Sequence, residues 1–243
     1  MVDDKPKLSI VVPAYNEQKR LKRYLPAFLN FPRKVNFPVE VVFVDDGSLD
    51  STAQIIEEAI KGKENFHLVR LPQNRGKGGA IKEGMLRARG EFRLFADADN
   101  ATPIEQATRL LAEGRDYEVV IASRYIKGAR ILRKQPLLRV LGGRFLNLLS
   151  RLVLLPGIAD TQCGFKLLSA EAVKRIFPRT RLENFSFDLE VLAIAKSLGY
   201  RIKEVPVEWR DDPHGTVNPV RDGLRFLKDL LRIRISLARG EYQ

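Results

Sequence analysis

An α/β fold with a mostly parallel central sheet is predicted by two observations on this 243-residue sequence. Apolar, β-branched runs alternate with amphipathic stretches at the spacing of βαβ units. Those runs are continuous rather than alternating, as expected for strands covered on both faces.

The strands are expected at Leu8–Pro13, Glu40–Val44, Phe66–Leu71, Phe92–Ala96 and Val119–Ala122. Helical patterns fall between them at Glu17–Phe31, Ser51–Ile60, Ala80–Ala88 and Pro103–Glu113. Ser48, Asp50 and Ser51 are candidate N-caps for the second helix, and Pro103 suits the first turn of the fourth. Beyond Ser123 the pattern changes. Residues 124–134 read as a basic loop, and residues 136–155 are apolar with interspersed arginines. Leu138, Leu141, Phe145, Leu149 and Leu152 form one helical stripe in that segment. A helix at Phe187–Leu198 and a strand at Arg201–Trp209 follow. A last helix near Pro219–Arg239 carries Leu224, Leu227, Leu231 and Ile235 at helical spacing.

Composition narrows the partners. Lysine and arginine number 42 against 30 acids, a formal charge of +12 that calls for an anionic partner or surface. The aromatic residues do not interleave with the basic ones as a base-stacking surface requires, which argues against nucleic acid. The single cysteine, Cys163, excludes an internal disulfide and suits a reducing compartment. No stretch reaches ~18 uninterrupted apolar residues, and the opening residues lack the pattern of a signal peptide. The expected location is therefore cytoplasmic, with a surface association.

Four motifs sit where strands end and helices begin, the edge at which open α/β sheets bind ligands. The first, Pro13-Ala14-Tyr15-Asn16-Glu17, closes strand one, with Glu17 favourably placed near a positive helix end. In the second, Asp45-Asp46-Gly47-Ser48, a carboxylate suits a pyrimidine N–H and the glycine permits close approach, while capping competes as an explanation. The third, Arg75-Gly76-Lys77-Gly78-Gly79, is a basic Gly-rich turn at a helix N-terminus suited to phosphate, with a plain tight turn as the equal alternative. It matches neither the P-loop nor the dinucleotide fingerprint. The fourth, Asp97-Ala98-Asp99, places two carboxylates in one bend. Mg²⁺ favours that arrangement, taking one or two carboxylates together with substrate phosphate oxygens.

These segments, with ASRY, DTQCGFKLLS, FSFDLEVLAIA and EVPVEW in this order, resemble the family 2 inverting glycosyltransferases of GT-A fold. The resemblance covers nearly the whole chain and is strongest to dolichyl-phosphate β-glucosyltransferases, with dolichol-phosphate mannose synthases as cousins. It implies inverting transfer of a hexose from a nucleotide sugar (UDP-glucose or GDP-mannose) to a polyprenyl phosphate, with Mg²⁺ or Mn²⁺. It places Pro13, Tyr15, Glu17, Asp45 and Asp46 at the nucleoside, and Arg75 and Lys77 near the base or diphosphate. Asp97 and Asp99 would hold nucleotide and metal, and Arg124 would face the phosphates. Asp160, Gln162, Lys166, Asp188 and Glu190 would shape the sugar and acceptor side.

An acceptor phosphate is already anionic, so positioning and leaving-group neutralisation carry more weight than a base. Asp160 is the candidate if one acts, with a structural acceptor role as the alternative. Where mannose synthases use a third metal-side residue, this chain has Ala101, and His214 stands where relatives carry a basic turn. His67, inside an apolar strand, is structural. Arg130, Arg133 and Arg139 are candidate lipid-phosphate ligands. The basic amphipathic segments suit peripheral contact with the cytoplasmic membrane face. A catalytic domain over 1–211, including an acceptor-side segment near 130–156, precedes a loop and basic helix over 212–243. A glycosyltransferase using a soluble saccharide or small phosphate acceptor is the alternative reading.

Overall fold

A computed structural model describes residues 5–133, 137–212 and 219–243; for 137–139 and 219–220 the description is of backbone alone. Seven strands form one sheet: β1 (Leu8–Ala14), β2 (Val39–Asp45), β3 (Phe66–Arg70), β4 (Phe92–Ala96), β5 (Val119–Ser123), β7 (Phe165–Ser169) and β8 (Ile202–Pro206). Their order is β3-β2-β1-β4-β7-β5-β8. Only β7 runs antiparallel to its neighbours, β4 and β5. The five strands expected from apolar runs each form within one residue of their expected ends. Two short strands, β6 (Arg130–Arg133) and β9 (Glu208–Arg210), pair in parallel as a separate ribbon.

Along β1, alternation sends Leu8, Ile10 and Val12 to one core and Val11 to the other. Helices α1 (Gln18–Asn30), α2 (Thr52–Ile60) and α4 (Ala107–Glu113) cover the first face through Phe28, Ile56 and Leu110. Helices α3 (Gly76–Arg87), α6 (Ala170–Ile176) and α7 (Phe187–Ser197) cover the second through Met85, Val173 and Leu192. The chain leaves β1 to build β2 and β3 on one side, then returns to place β4 on the other. The crevice beyond the carboxyl ends of β1 and β4 is the topological switch point of this sheet.

Several local expectations are corrected. Residues 76–79 are the first turn of α3, so the Gly-rich segment is helical four residues earlier than periodicity suggested. Pro103 precedes a short 3₁₀ turn instead of opening the helix. Helix α2 is capped by Asp50, whose Oδ1 accepts from Thr52 N at 2.9 Å, and Ser51 makes no side-chain cap. The expected strand at 201–209 is two strands in different sheets. Part of the basic loop at 124–134 is β6. Strand β7 and helix α6 carried no clear signal, because FKLLS is short and merges into the motif before it.

The long helices α5 (Leu137–Val153) and α8 (Pro219–Ala238) pack on each other and on the second core face. Their inner faces coincide only in part with the leucine stripes. Helix α5 turns Leu146, Leu149 and Val153 inward with Asn147 and Ser150, and leaves Leu141, Phe145, Leu148 and Leu152 exposed. Helix α8 buries Phe226, Leu230 and Ile233 and exposes Leu224, Leu231 and Ile235. Exposed arginines accompany both outer faces, including Arg144, Arg151, Arg225 and Arg232.

Candidate active site

The loops after β1 and β2 are laced together at the switch point. Asn16 adopts φ 52°, and its Oδ1 accepts from Leu49 N at 2.9 Å while its own N donates to Ser48 Oγ at 3.0 Å. Gly47 is required at φ 68°, where a Cβ would lie 2.6 Å from the carbonyl carbon of Gln73. Asp45 is buried and accepts from Ser48 N at 3.3 Å. Asp46 points the other way, accepting from the backbone N of Arg75 and of Gly76, both at 2.8 Å. Burial raises its carboxyl above the ordinary range, and those two amides partly offset the rise. Asp46 therefore fixes the start of α3, whereas Asp45 is tied into the turn that follows β2. Beside these loops lies a cavity of about 650 Å³ bordered by Tyr15, Glu17, Arg20, Tyr24, Asp50 and Asp212. Tyr15 is 41% exposed at its rim.

Asp97 and Asp99 follow β4, with Asn100 at φ 50° closing the bend and Ala101 N donating to Asp99 Oδ1 at 3.0 Å. Burial first, and the neighbouring Asp97 charge second, push the Asp99 carboxyl up to about 6. Two crowded carboxylates at a strand end are a donor set that a hard divalent cation relieves. Among the described residues no group of three or more His, Cys, Asp or Glu forms a protein-only cage. Asp97 and Asp99 would supply two carboxylate ligands to a divalent cation, whose further ligands would be phosphate oxygens and water. Ala101, in the third-ligand position of mannose synthases, is buried and apolar.

A line of alternating charge runs inward from this pair. Lys77 Nζ lies 2.6 Å from Asp97 Oδ1 and 3.8 Å from Asp188 Oδ2. Lys166 Nζ lies 2.5 Å from Asp188 Oδ1 and donates to Cys163 O at 2.6 Å. Burial lowers the Lys77 affinity for its proton, but Asp97 and Asp188 outweigh it and hold the ammonium above the ordinary lysine range. Burial raises the Asp188 carboxyl despite both lysines. Lys166 is fully buried, so it supports Asp188 from behind and is not placed to meet an acceptor phosphate. Cys163, also buried, has its thiol pushed up to about 11 by desolvation and the Asp160 charge.

On the β5 side, Arg124 and Asp160 form a forked ion pair. Nε donates to Oδ2 at 2.8 Å, Nη2 to Oδ1 at 3.0 Å, and Arg124 N to Oδ2 at 2.9 Å. Gln162 N adds a bond to Oδ1 at 3.2 Å. Burial would raise the Asp160 carboxyl, but the guanidinium overrides it and holds the group below the ordinary range. Both oxygens are engaged, so the geometry corrects the base expectation: Asp160 orients Arg124. The guanidinium carbon also lies 5.3 Å from each of the Tyr125 and Trp209 ring centroids. Gln162 is half-buried beside this pair.

Other expected residues fall elsewhere. Arg75 pairs with Glu183 at 2.7 Å, so its head is held along the outer edge of α3. Glu190 is fully buried and accepts from Arg181 N, Leu182 N and the Tyr242 hydroxyl at 2.9, 2.8 and 2.7 Å. It anchors the 181–183 segment, and no sugar or acceptor can reach it. Arg130 and Arg133 are exposed on β6, with Arg130 3.8 Å from Glu208. The Arg139 side chain and His214 lie outside the described residues. His67 is partly exposed at the far end of the sheet near Glu40, consistent with a structural place.

Four supporting residues went unnoticed in the sequence. Glu204 accepts from Ala159 N and Asp160 N at 2.7 and 2.9 Å, and Asn147 on α5 accepts from Thr161 N at 3.1 Å. Arg20 pairs with Glu17 and approaches Asp99 and Asp212 at 4.0 and 3.9 Å. Glu183 O accepts from Gly78 N at 2.8 Å. An acid within an apolar strand and an asparagine inside a leucine-rich helix were the available signals for the first two.

A family model described as Glycosyl transferase family 2 matches residues 9–177. Among curated relatives, a dolichyl-phosphate β-glucosyltransferase of Dictyostelium discoideum is 37% identical over 96% of this chain and 75% of its own. The Saccharomyces cerevisiae protein of that name is 33% identical over 99% and 78%. Among solved structures, glucosyl-3-phosphoglycerate synthase from Mycobacterium tuberculosis, in complex with Mn²⁺, UDP-glucose and phosphoglyceric acid, matches with TM-score 0.71 and 18% identity. It covers 94% of this chain and 79% of that one. Staphylococcus aureus TarS in complex with UDP-GlcNAc matches with TM-score 0.59 and 21% identity over 93% and 66%. At such identities the structural likeness speaks for the GT-A fold alone. The sequence relatives speak for descent, and this chain belongs to glycosyl transferase family 2.

Proposed function

We propose that this protein transfers glucose from UDP-glucose to a dolichyl or other polyprenyl phosphate, with inversion at the anomeric carbon. The observation that carries the reading is that the Asp97–Asp99 pair after β4 and an Arg124 guanidinium after β5, held in a fixed fork by Asp160, emerge at the same edge of one sheet. The names of the curated relatives support the sugar and the acceptor.

In this reading Asp45, with Tyr15 and Pro13, borders the nucleoside, and Glu17 acts through Arg20. Asp97 and Asp99 would hold Mg²⁺ or Mn²⁺, which when bound neutralises charge on the departing diphosphate. Arg124 offsets the negative charge of the incoming phosphate, and the Trp209 and Tyr125 rings limit its swing. The acceptor oxygen needs no proton removed at neutral pH, which agrees with the absence of a free base role for Asp160. Asp188 and Gln162 stand between donor and acceptor halves.

The outer faces of α5 and α8 support a membrane-borne acceptor. Leu141, Phe145, Leu152, Leu224, Leu231 and Ile235 are exposed among arginines, a composition that favours the interface of an anionic, cytoplasmic leaflet. No helix among the described residues is long and apolar enough to cross a membrane. Arg130 and Arg133 are exposed on β6, which pairs with the strand that carries Trp209 beside Arg124.

The test is a parallel donor screen with purified protein, a short polyprenyl phosphate, Mg²⁺ or Mn²⁺, and UDP-glucose, GDP-mannose or UDP-N-acetylglucosamine. Metal-dependent glucosyl phospholipid from UDP-glucose is the expected product. Transfer only from another donor, or only to a water-soluble acceptor, overturns the assignment.

A further inference from the structure

Lys77 occupies an unusual position for a residue beside a cation site. Its ammonium is 2.6 Å from Asp97 Oδ1, and the other oxygen of Asp97 is packed against Gly164, where a Cβ would collide with it. The Asp97 carboxylate is thus held between Gly164 and the Lys77 ammonium. A second carboxylate, Asp188, stands 3.8 Å from the same nitrogen and is itself tied to the immobile Lys166 at 2.5 Å. The Lys77 backbone cannot retreat. Gly76 and Gly78 pack against the 182–183 backbone so closely that a Cβ on either would fall within 2.7 Å of a carbonyl oxygen. Only the side chain can move, and two carboxylates lie within its reach.

An ammonium and a divalent cation on one carboxylate repel each other at such distances, and partial burial weakens the screening between them. We propose that Lys77 is a tethered cation that competes with the divalent metal for Asp97, so that metal and nucleotide diphosphate bind in synergy. The inference rests on the donor-site reading of Asp97 and Asp99. With metal held by Asp97, the Lys77 ammonium would move toward Asp188, and the negative charge of a bound diphosphate would then offset it. Metal alone gains little, because Lys77 opposes it. Nucleotide with metal gains from both cations. The device ties retention of the metal to the presence of donor, and loosens it once the nucleotide leaves.

The experiment titrates Mn²⁺ by electron paramagnetic resonance, with and without UDP, in the full chain and in Lys77→Met. Calorimetry of UDP in the presence of Mn²⁺ accompanies it. The proposal expects opposite signs. Lys77→Met binds Mn²⁺ alone at least about tenfold tighter than the unaltered protein, and binds UDP with Mn²⁺ at least about tenfold weaker. A merely structural lysine would weaken both. Lys77→Gln, which keeps a hydrogen bond to Asp97 without the charge, covers a folding failure of Lys77→Met and is expected to shift in the same directions. If the unaltered protein takes up Mn²⁺ with UDP but both variants bind Mn²⁺ alone no tighter than it does, the competition is overturned and the donor site stands. If the unaltered protein takes up no Mn²⁺ with UDP, the donor-site reading falls and the inference falls with it.

Discussion

Replacing Asp160 by asparagine tests the division of labour between Arg124 and its carboxylate. The Asp160 side chain is fully buried and Arg124 is only 15% exposed, so water can replace little of the pairing. An asparagine keeps one acceptor oxygen and turns an NH₂ toward a donor. In either orientation it loses two of the four bonds now reaching Asp160. Removing one member of a buried pair costs about 3–5 kcal/mol, much of it the stranded guanidinium. For a chain of this size that is a fall of roughly 6–20 °C in Tm, at about 2–4 °C per kcal/mol.

The pH dependence has a definite sign. The folded carboxyl lies below its unfolded value of 3.8, so the wild-type advantage is complete above that value. It is lost as pH falls through the folded value. Differential scanning calorimetry from neutral to acid pH should show the gap between wild type and Asp160→Asn closing only at the acid end. Steady-state kinetics should show a raised acceptor KM and a pH–rate profile of unchanged shape. An unchanged Tm, or loss of an acid limb from the profile in the variant, would refute the positioning role and restore Asp160 as a base.

Asp99→Asn should abolish metal-dependent turnover yet stabilise the metal-free protein. A folded carboxyl raised to about 6 is a destabilising group that acts fully above that pH. The gain is on the order of 2–3 kcal/mol at pH 8 and vanishes below 3.8, as thermal melts in chelator can show. Gly164→Ala drives a Cβ into Asp97, so turnover should fall at least about tenfold, with the far-UV spectrum unchanged; full activity would mean Asp97 has room to move. Leu141→Asp with Leu231→Asp alters exposed positions and should change stability by no more than about 0.5 kcal/mol each. It should nevertheless reduce sedimentation with anionic vesicles, and undiminished sedimentation would remove these faces from the membrane contact. Tyr242→Phe strips a hydroxyl from the buried Glu190 and should cost about 1–3 kcal/mol in urea unfolding; no change would show that water replaces it.

Much of the fold was legible because its signals are local. Continuous apolar runs such as Glu40–Val44 can be satisfied only by cover on both faces, and β2 is buried along its whole length. The motif residues Glu17, Asp46 and Asp97 were legible as a group because each follows a strand in the same parallel sheet, which brings them to one edge. Periodicity in α5 and α8 was legible too, but its direction was not. A leucine stripe reports that a helix has an apolar face, and says nothing about whether that face is buried against the sheet or left exposed. The tertiary structure decided it, burying Phe226 and Leu230 and exposing Leu224 and Leu231.

The sequence by itself determined the strand–helix alternation, the edge at which chemistry gathers, and the family through its ordered motifs. Only the tertiary structure decided which carboxylates are available. Asp46, Asp160 and Glu190 look alike in the sequence to Asp45 and Asp99, but backbone amides, a guanidinium and a tyrosine hydroxyl already engage them. Those partners lie 29, 36 and 52 residues away along the chain. A side chain's chemistry depends on which neighbours desolvate it or pair with it. Such neighbours are brought together by packing, and local sequence does not encode them.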